Sequence, residues 1–350
     1  MKRAIKTALC LLLCLLLTEP LTAFADDAES VLDADELQAL VEDFLQQHNL
    51  DPERFSMGYV YTGTGESWYY NDELWCDSAS LYKLPLMMLI ENDVANGLLG
   101  AEDKVCQVYL PEAEELILVY SQNKVAERLT GYFGTWADYR TLSAELAGFT
   151  EDELPDEYLK SRLVSVRYMT NLLQKLYDAP EDYPNVVDKL KLAQPGQYFR
   201  HFLEGQYDIA QKYGSYEGRN HTAGIIYTPH PILLTVMTLG YPFAETVIGE
   251  AAEMMVDYTL LLDERLEALG EAARREEAAR REEAARQESE AQPTEEEPAP
   301  AAVQTPEPSP EPEPAHAVQP LWATGGVLAV LAAGAAAYGI WHRKKRSRES

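Results

Sequence analysis

Ser80-Leu81-Tyr82-Lys83 runs directly into Leu84-Pro85-Leu86-Met87-Met88-Leu89-Ile90. A polar, turn-rich stretch gives way here to an apolar run, so the serine and the lysine fall one helical turn apart at a helix start. That places an amine beside a hydroxyl. A serine hydroxyl is a weak nucleophile alone, but a neighbouring lysine can take its proton when burial lowers the amine pKa from about 10.4. The positive end of the helix dipole also favours developing negative charge. The pattern S-x-x-K is common, and the chain holds a second copy at Ser121-Gln122-Asn123-Lys124. Ser80 as a plain helix cap beside a solvated lysine is the alternative, and the surrounding sequence must separate the two.

Working outward, residues 55–61 and 66–70 read as two strands turned by Thr62-Gly63-Thr64-Gly65. Before them, Leu37, Leu40, Val41, Phe44 and Leu45 line one face of a helix over 35–48, with Asp35 as its N-cap. The Ser80 helix runs to Asn96-Gly97, and a largely helical middle follows, clearest over 163–177. Residues 209–213, 221–228 and 232–238 then read as three strands, the last two turned at Pro229-His230-Pro231. From Phe243 onward, Val247, Ile248, Ala251, Met254, Met255, Tyr258 and Leu262 mark a long final helix. This order predicts an α+β fold. Its early and late strands share one antiparallel sheet, flanked by the terminal helices, beside a helical subdomain.

The ends carry other signals. Lys2, Arg3 and Lys6, an apolar run and Ala23-Phe24-Ala25 read as a signal peptide over residues 1–25. Residues 26–265 have ordinary globular composition and suffice for one large domain. Over 266–291, Glu271-Ala272-Ala273-Arg274-Arg275-Glu276 recurs at Glu277 to Glu282 as a charged helical extension without an apolar seam. Residues 292–320, rich in Pro and Glu, read as a disordered spacer reaching up to roughly 90 Å. Residues 321–341 are apolar and uncharged; at about 1.5 Å each they span roughly 30 Å, the length of a transmembrane helix. The basic tail 342–350, with Arg343-Lys344-Lys345-Arg346, sets that end in the cytoplasm and the domain outside the cell.

The net charge of −29 argues against nucleic acid or an anionic surface as a partner, because phosphate recognition needs clustered Lys and Arg. Cys76 and Cys106 are the two cysteines beyond the signal, a pair able to form one disulfide in an exported chain. His221 and His230 lack metal-ligand spacing and read as structural or solvated. No metal or cofactor is called for.

Two further stretches complete a constellation. Ser121-Gln122-Asn123 falls in a loop between helices, where a hydroxyl and a carboxamide can face a cleft. Lys212-Tyr213-Gly214-Ser215 ends a strand, where a cation can hold a carboxylate and glycine admits a close backbone. The order S-x-x-K, S-x-N, K-x-G resembles the penicillin-recognising serine hydrolases, the class A β-lactamases and related DD-peptidases. The resemblance is carried by residues 78–86, 212–214, 221–227 and 232–238 and extends over most of 35–265. It implies Ser80 as the acylated nucleophile, Lys83 as its base, Ser121 as the proton relay to the leaving nitrogen and Asn123 as the group that orients Lys83. It further implies substrate binding by Lys212, Tyr213, Gly214 and Ser215, with the Ser80 and Ser215 N–H groups forming the oxyanion hole.

Three departures qualify this. Residues 148–163 hold Glu151, Asp152, Glu153, Asp156 and Glu157 but not the E-x-x-L-N pattern that positions a deacylating water. Tyr213 stands where the family has a small hydroxyl, and Gln122 replaces an Asp. The expected function is a membrane-anchored, extracytoplasmic serine hydrolase acylated by a β-lactam or a D-alanyl stem peptide of peptidoglycan. The alternative is a catalytically silent peptidoglycan-binding module of the same fold.

Overall fold

Asp33 sets the first helix. Its carboxylate accepts the N–H groups of Asp35 and Glu36, each at 3.0 Å, and α1 (Ala34–Gln47) follows. The cap is thus Asp33 and not Asp35. Both acids precede the same apolar stripe, and only Asp33 reaches the open amides of the first turn. The computed structural model describes residues 30–291.

β1 (Phe55–Tyr61) and β2 (Glu66–Tyr70) form the early hairpin, with Tyr61 opposite Glu66. β3 (Cys76–Asp77) and the turn at Ser80 lead into α2 (Lys83–Ala95). A small hairpin, β4 (Lys104–Val105) with β5 (Val108–Tyr109), precedes α3 (Leu110–Glu114), which continues as a π-helical turn over Glu115–Val119. Then come α4 (Asn123–Thr130), α5 (Trp136–Ala147), β6 (Leu163–Val164) and α6 (Val166–Asp178). The short helices α7 (Val186–Leu190) and α8 (Arg200–Leu203) follow. β7 (Ile209–Tyr216), β8 (Arg219–Ile226), β9 (Ile232–Leu239) and α9 (Ala244–Ala291) close the described chain.

The main sheet has the order β2-β1-β9-β8-β7, antiparallel throughout, so early and late strands share one sheet as expected. One face packs on the terminal helices: Leu37, Val41 and Phe44 of α1 and Ile248, Ala251 and Met255 of α9 meet Met57, Tyr59, Leu234 and Val236. Tyr59 OH lies 2.9 Å from Thr259 Oγ1, and Arg265 binds both carboxylate oxygens of Glu36 at 2.7 and 2.8 Å. The other face packs on the helical subdomain through α2 and α6. A Cβ on Gly58 of β1 would fall 2.4 Å from Thr170 Oγ1 of α6, so the glycine is what lets this helix lie close to the sheet.

Several expectations are corrected. The helix read over 163–177 is split, because Ser165 caps α6 by accepting the Tyr168 N–H at 3.2 Å, leaving Leu163–Val164 to pair with Cys76–Asp77. Lys212-Tyr213-Gly214-Ser215 lies within β7, which runs on to Tyr216. Cys76 and Cys106, whose pairing the sequence leaves open, are both free thiols. α9 passes residue 265 without a break; what changes there is burial, and residues 271–287 are exposed. Glu271–Arg275, Glu276–Arg280, Glu277–Arg281 and Glu282–Arg286 ion pairs lace this extension at i,i+4. The signal peptide (1–25), the spacer (292–320), the transmembrane helix (321–341) and the basic tail (342–350) lie outside the described residues. Among those described, no helix is long and apolar enough to cross a membrane.

Candidate active site

Ser80 sits in the turn between β3 and α2. Ala79 takes a left-handed conformation (φ 50°), stabilised by its N–H donating to Asp77 Oδ1 at 2.8 Å, and Ser80 is only half-buried. No side-chain cap bond starts α2, so Ser80 is not a capping residue. Lys83, one turn on, is fully buried among the apolar residues of α2.

The π-helical turn ends at Val119, Ser121 two residues on is left-handed (φ 56°), and α4 begins at Asn123. Together with the Ser80 turn, this geometry sets four oxygens around one amine. Lys83 Nζ lies within hydrogen-bond distance of Ser80 Oγ at 3.0 Å, Ser121 Oγ at 3.2 Å, Ser121 O at 2.5 Å and Asn123 Oδ1 at 2.6 Å. From β7, Lys212 Nζ donates to the same Ser121 Oγ at 3.0 Å and to Tyr213 O at 2.9 Å. Ser80, Lys83, Ser121, Asn123 and Lys212 therefore meet in one hydrogen-bonded cluster.

Electrostatics suit proton transfer. Burial holds the Lys83 amine down to about 8, the Arg162 guanidinium pushes the same way, and Glu127 opposes both. Burial pushes the Lys212 amine well below its ordinary value, and the Lys83 charge adds to the effect.

Gly214 is where β7 touches the Ser78–Ser80 segment. A Cβ there would meet Ser78 O at 2.7 Å and Ser80 N at 2.8 Å. Ser215 follows it, exposed on this edge strand. The Ser80 N–H donates to no acceptor among the described residues, as an oxyanion donor requires. Tyr213 does not present its hydroxyl in the manner of a small residue. Its ring stacks on Tyr198 at 5.2 Å and lies 4.4 Å from Lys212 Nζ, on the sheet face that carries the terminal helices.

Residues that sequence reading missed brace the Ser80 turn. Tyr139 OH donates to Tyr82 O, Arg162 O accepts the Ser78 N–H at 2.9 Å, and Arg162 Nη2 binds Asp77 Oδ2 at 3.1 Å. His221, buried and held neutral by a pKa pushed down to about 4, donates from Nε2 to Asp77 O at 3.0 Å and accepts the Thr238 N–H at Nδ1. Its reading as a structural residue agrees with this. Glu151, Asp152, Glu153, Asp156 and Glu157 are all exposed, and none hydrogen-bonds Ser80, Lys83, Ser121 or Asn123. Glu153 is taken up in capping Thr150.

Residues 113–259 match the model of the beta-lactamase enzyme family. That match covers less than half of the chain, and the likeness to solved structures is one of fold. Its fold is similar to that of PBP-A, at 17% identity and a TM-score of 0.54 over 63% of this chain and 96% of that one. It is similar also to a beta-lactamase from Sphaerobacter thermophilus, at 20% identity and a TM-score of 0.53 over 65% and 98% of the two chains. A reconstructed last common ancestor of Gram-negative class A beta-lactamases gives 19% identity and a TM-score of 0.55 over 63% and 99%. None of the curated proteins matches this sequence.

Proposed function

We propose that this domain is an acylating serine hydrolase in which Ser80 attacks the carbonyl of a β-lactam or a D-alanyl stem peptide. The observation that carries the reading is the single amine of Lys83 within hydrogen-bond reach of both Ser80 Oγ and Ser121 Oγ, at 3.0 and 3.2 Å. Neutral Lys83 takes the Ser80 proton as the Oγ–C bond forms, and the oxyanion is held at the Ser80 and Ser215 N–H groups. Such a preorganised donor is worth roughly 3 kcal/mol of barrier. Lys83 then passes its proton to Ser121, and Ser121 gives its own to the leaving nitrogen as the C–N bond breaks.

The second half of the cycle is slow, because no carboxylate of residues 148–163 hydrogen-bonds the serine or its lysine. The domain accumulates acyl-enzyme in the manner of a penicillin-binding protein. It acts outside the cell, tethered through residues 321–341. Fluorescent penicillin incubated with the protein tests this. A stable adduct of the expected mass on wild type, absent from Ser80→Ala, is expected. No label on wild type, or equal label on the variant, would favour the silent peptidoglycan-binding module.

A further inference from the structure

Arg140, on α5, is fully buried, yet no carboxylate pairs with it among the described residues. Its Nη2 donates to Leu163 O at 2.5 Å and its Nε to Tyr158 O at 3.4 Å, while Nη1 has no partner. The guanidinium lies 3.8 Å from the centroid of the Tyr158 ring and 6.0 Å from that of Tyr168. Tyr158 OH returns a bond to Arg140 O at 3.1 Å and another to Tyr168 OH at 3.0 Å. A buried cation without a counter-charge is costly, and only the aromatic faces and the two carbonyls offset it.

The Leu163 carbonyl belongs to β6, and the Tyr158 carbonyl to the short 3-10 turn five residues before it. From there the connection to the nucleophile is short. Leu163 and Val164 pair with Asp77 and Cys76, Arg162 O accepts the Ser78 N–H, and Ser80 follows two residues later. The preceding residue on the same helix, Tyr139, donates to Tyr82 O between Ser80 and Lys83. One turn of α5 therefore holds the nucleophile segment from both sides.

We propose that Arg140 is a positioning residue: by clamping the Tyr158 and Leu163 carbonyls it fixes β6, and through β6 the Asp77–Ser80 turn, in the geometry that acylation needs. The proposal rests on the assignment of Ser80 as nucleophile. Arginine is required because one planar group must serve both carbonyls while lying flat on Tyr158; lysine keeps the charge but lacks the fork.

Acylation kinetics with fluorescent penicillin on Arg140→Lys and Arg140→Gln, per folded molecule, test it. The maximal acylation rate is expected to fall at least tenfold in Arg140→Lys and further in Arg140→Gln, with the half-saturating concentration changed less than about threefold. A merely structural role would lower the melting temperature and leave that rate intact. Hydrogen exchange supplies the second arm: the Ser78 amide exchanges faster in Arg140→Lys while β8 amides keep wild-type protection. If Arg140→Gln does not fold, Arg140→Lys carries both measurements. A folded Arg140→Lys protein with wild-type acylation and unchanged Ser78 exchange overturns the proposal. If wild type is not acylated, the nucleophile assignment fails, and the exchange arm alone judges the clamp.

Discussion

Lys83 and Lys212 hold the same oxygen: their Nζ atoms lie 3.2 and 3.0 Å from Ser121 Oγ. Two buried amines this close cannot both carry a proton cheaply, so one is neutral near physiological pH. The acylation rate is therefore expected to rise with pH through about 8, where Lys83 loses its proton, and to level off above it. A rate that falls across that range would exclude Lys83 as the base. Stability follows the same proton. Both lysines have folded-state pKa values below the unfolded value, so the unfolded chain binds more protons in between and stability rises with pH above about 8. Urea midpoints at pH 7.5 and 10 should show the rise in wild type and a smaller one in Lys83→Met.

Gly214→Ala places a methyl against Ser78 O and Ser80 N, both backbone atoms that no rotamer change can clear. Overpacking of this kind costs about 1–3 kcal/mol. Penicillin labelling is expected to drop at least tenfold while circular dichroism keeps the wild-type spectrum. Undiminished labelling would mean that β7 does not shape the nucleophile turn.

Glu91, two turns beyond Lys83 on α2, is fully buried with neither carboxylate oxygen hydrogen-bonded within the described residues. Burial first and Glu114 second raise its pKa, with Asn185 and Lys189 opposing. Its folded-state pKa exceeds the unfolded one, so the stability it contributes is present at acid pH and lost as pH rises. Glu91→Gln is expected to stabilise the protein by about 1–3 kcal/mol at pH 8 and to change little near pH 4.5. Denaturation at the two pH values checks this; equal effects at both would contradict it.

Cys76 is buried, its thiol pushed up to about 12 by burial, while Cys106 is half-buried at the tip of the small hairpin. A thiol reagent should modify Cys106 in the native protein and Cys76 only after unfolding. A Cys76–Cys106 disulfide in the purified protein would be inconsistent with the structure.

The elements readable in the sequence are those fixed locally. The hairpin of β1 and β2 follows from two short strand-like runs around Thr62-Gly63-Thr64-Gly65, and α1 from its apolar stripe. The convergence of Ser80, Lys83, Ser121, Asn123 and Lys212 was legible through motif order, which stands in for three-dimensional contact. Asp33 was passed over because Asp35 is an equally good local cap. Leu163–Val164 reads as helix in the sequence because a two-residue strand exists only through its partner, Cys76–Asp77. Arg140 and Glu91 gave no signal at all: a charged residue on a helix reads as solvent-facing until neighbouring elements cover it. Tyr213 read as a substitution in the cleft, yet its ring finds Tyr198, a partner that only the fold brings near.

The pairing of β1 with β9 carries a consequence for biosynthesis. Phe55 meets Thr238 and Tyr61 meets Ile232, so the centre of the sheet joins strands separated by most of the domain. Closing so long a loop is slow, and it cannot begin before the ninth strand has been made. A chain halted after α8 would already hold Ser80, Lys83, Ser121 and Asn123, but not Lys212 or the edge strand that walls the cleft. A nascent or prematurely ended copy thus carries the Ser80–Lys83 pair without the strand that brings Lys212 and Gly214 against it.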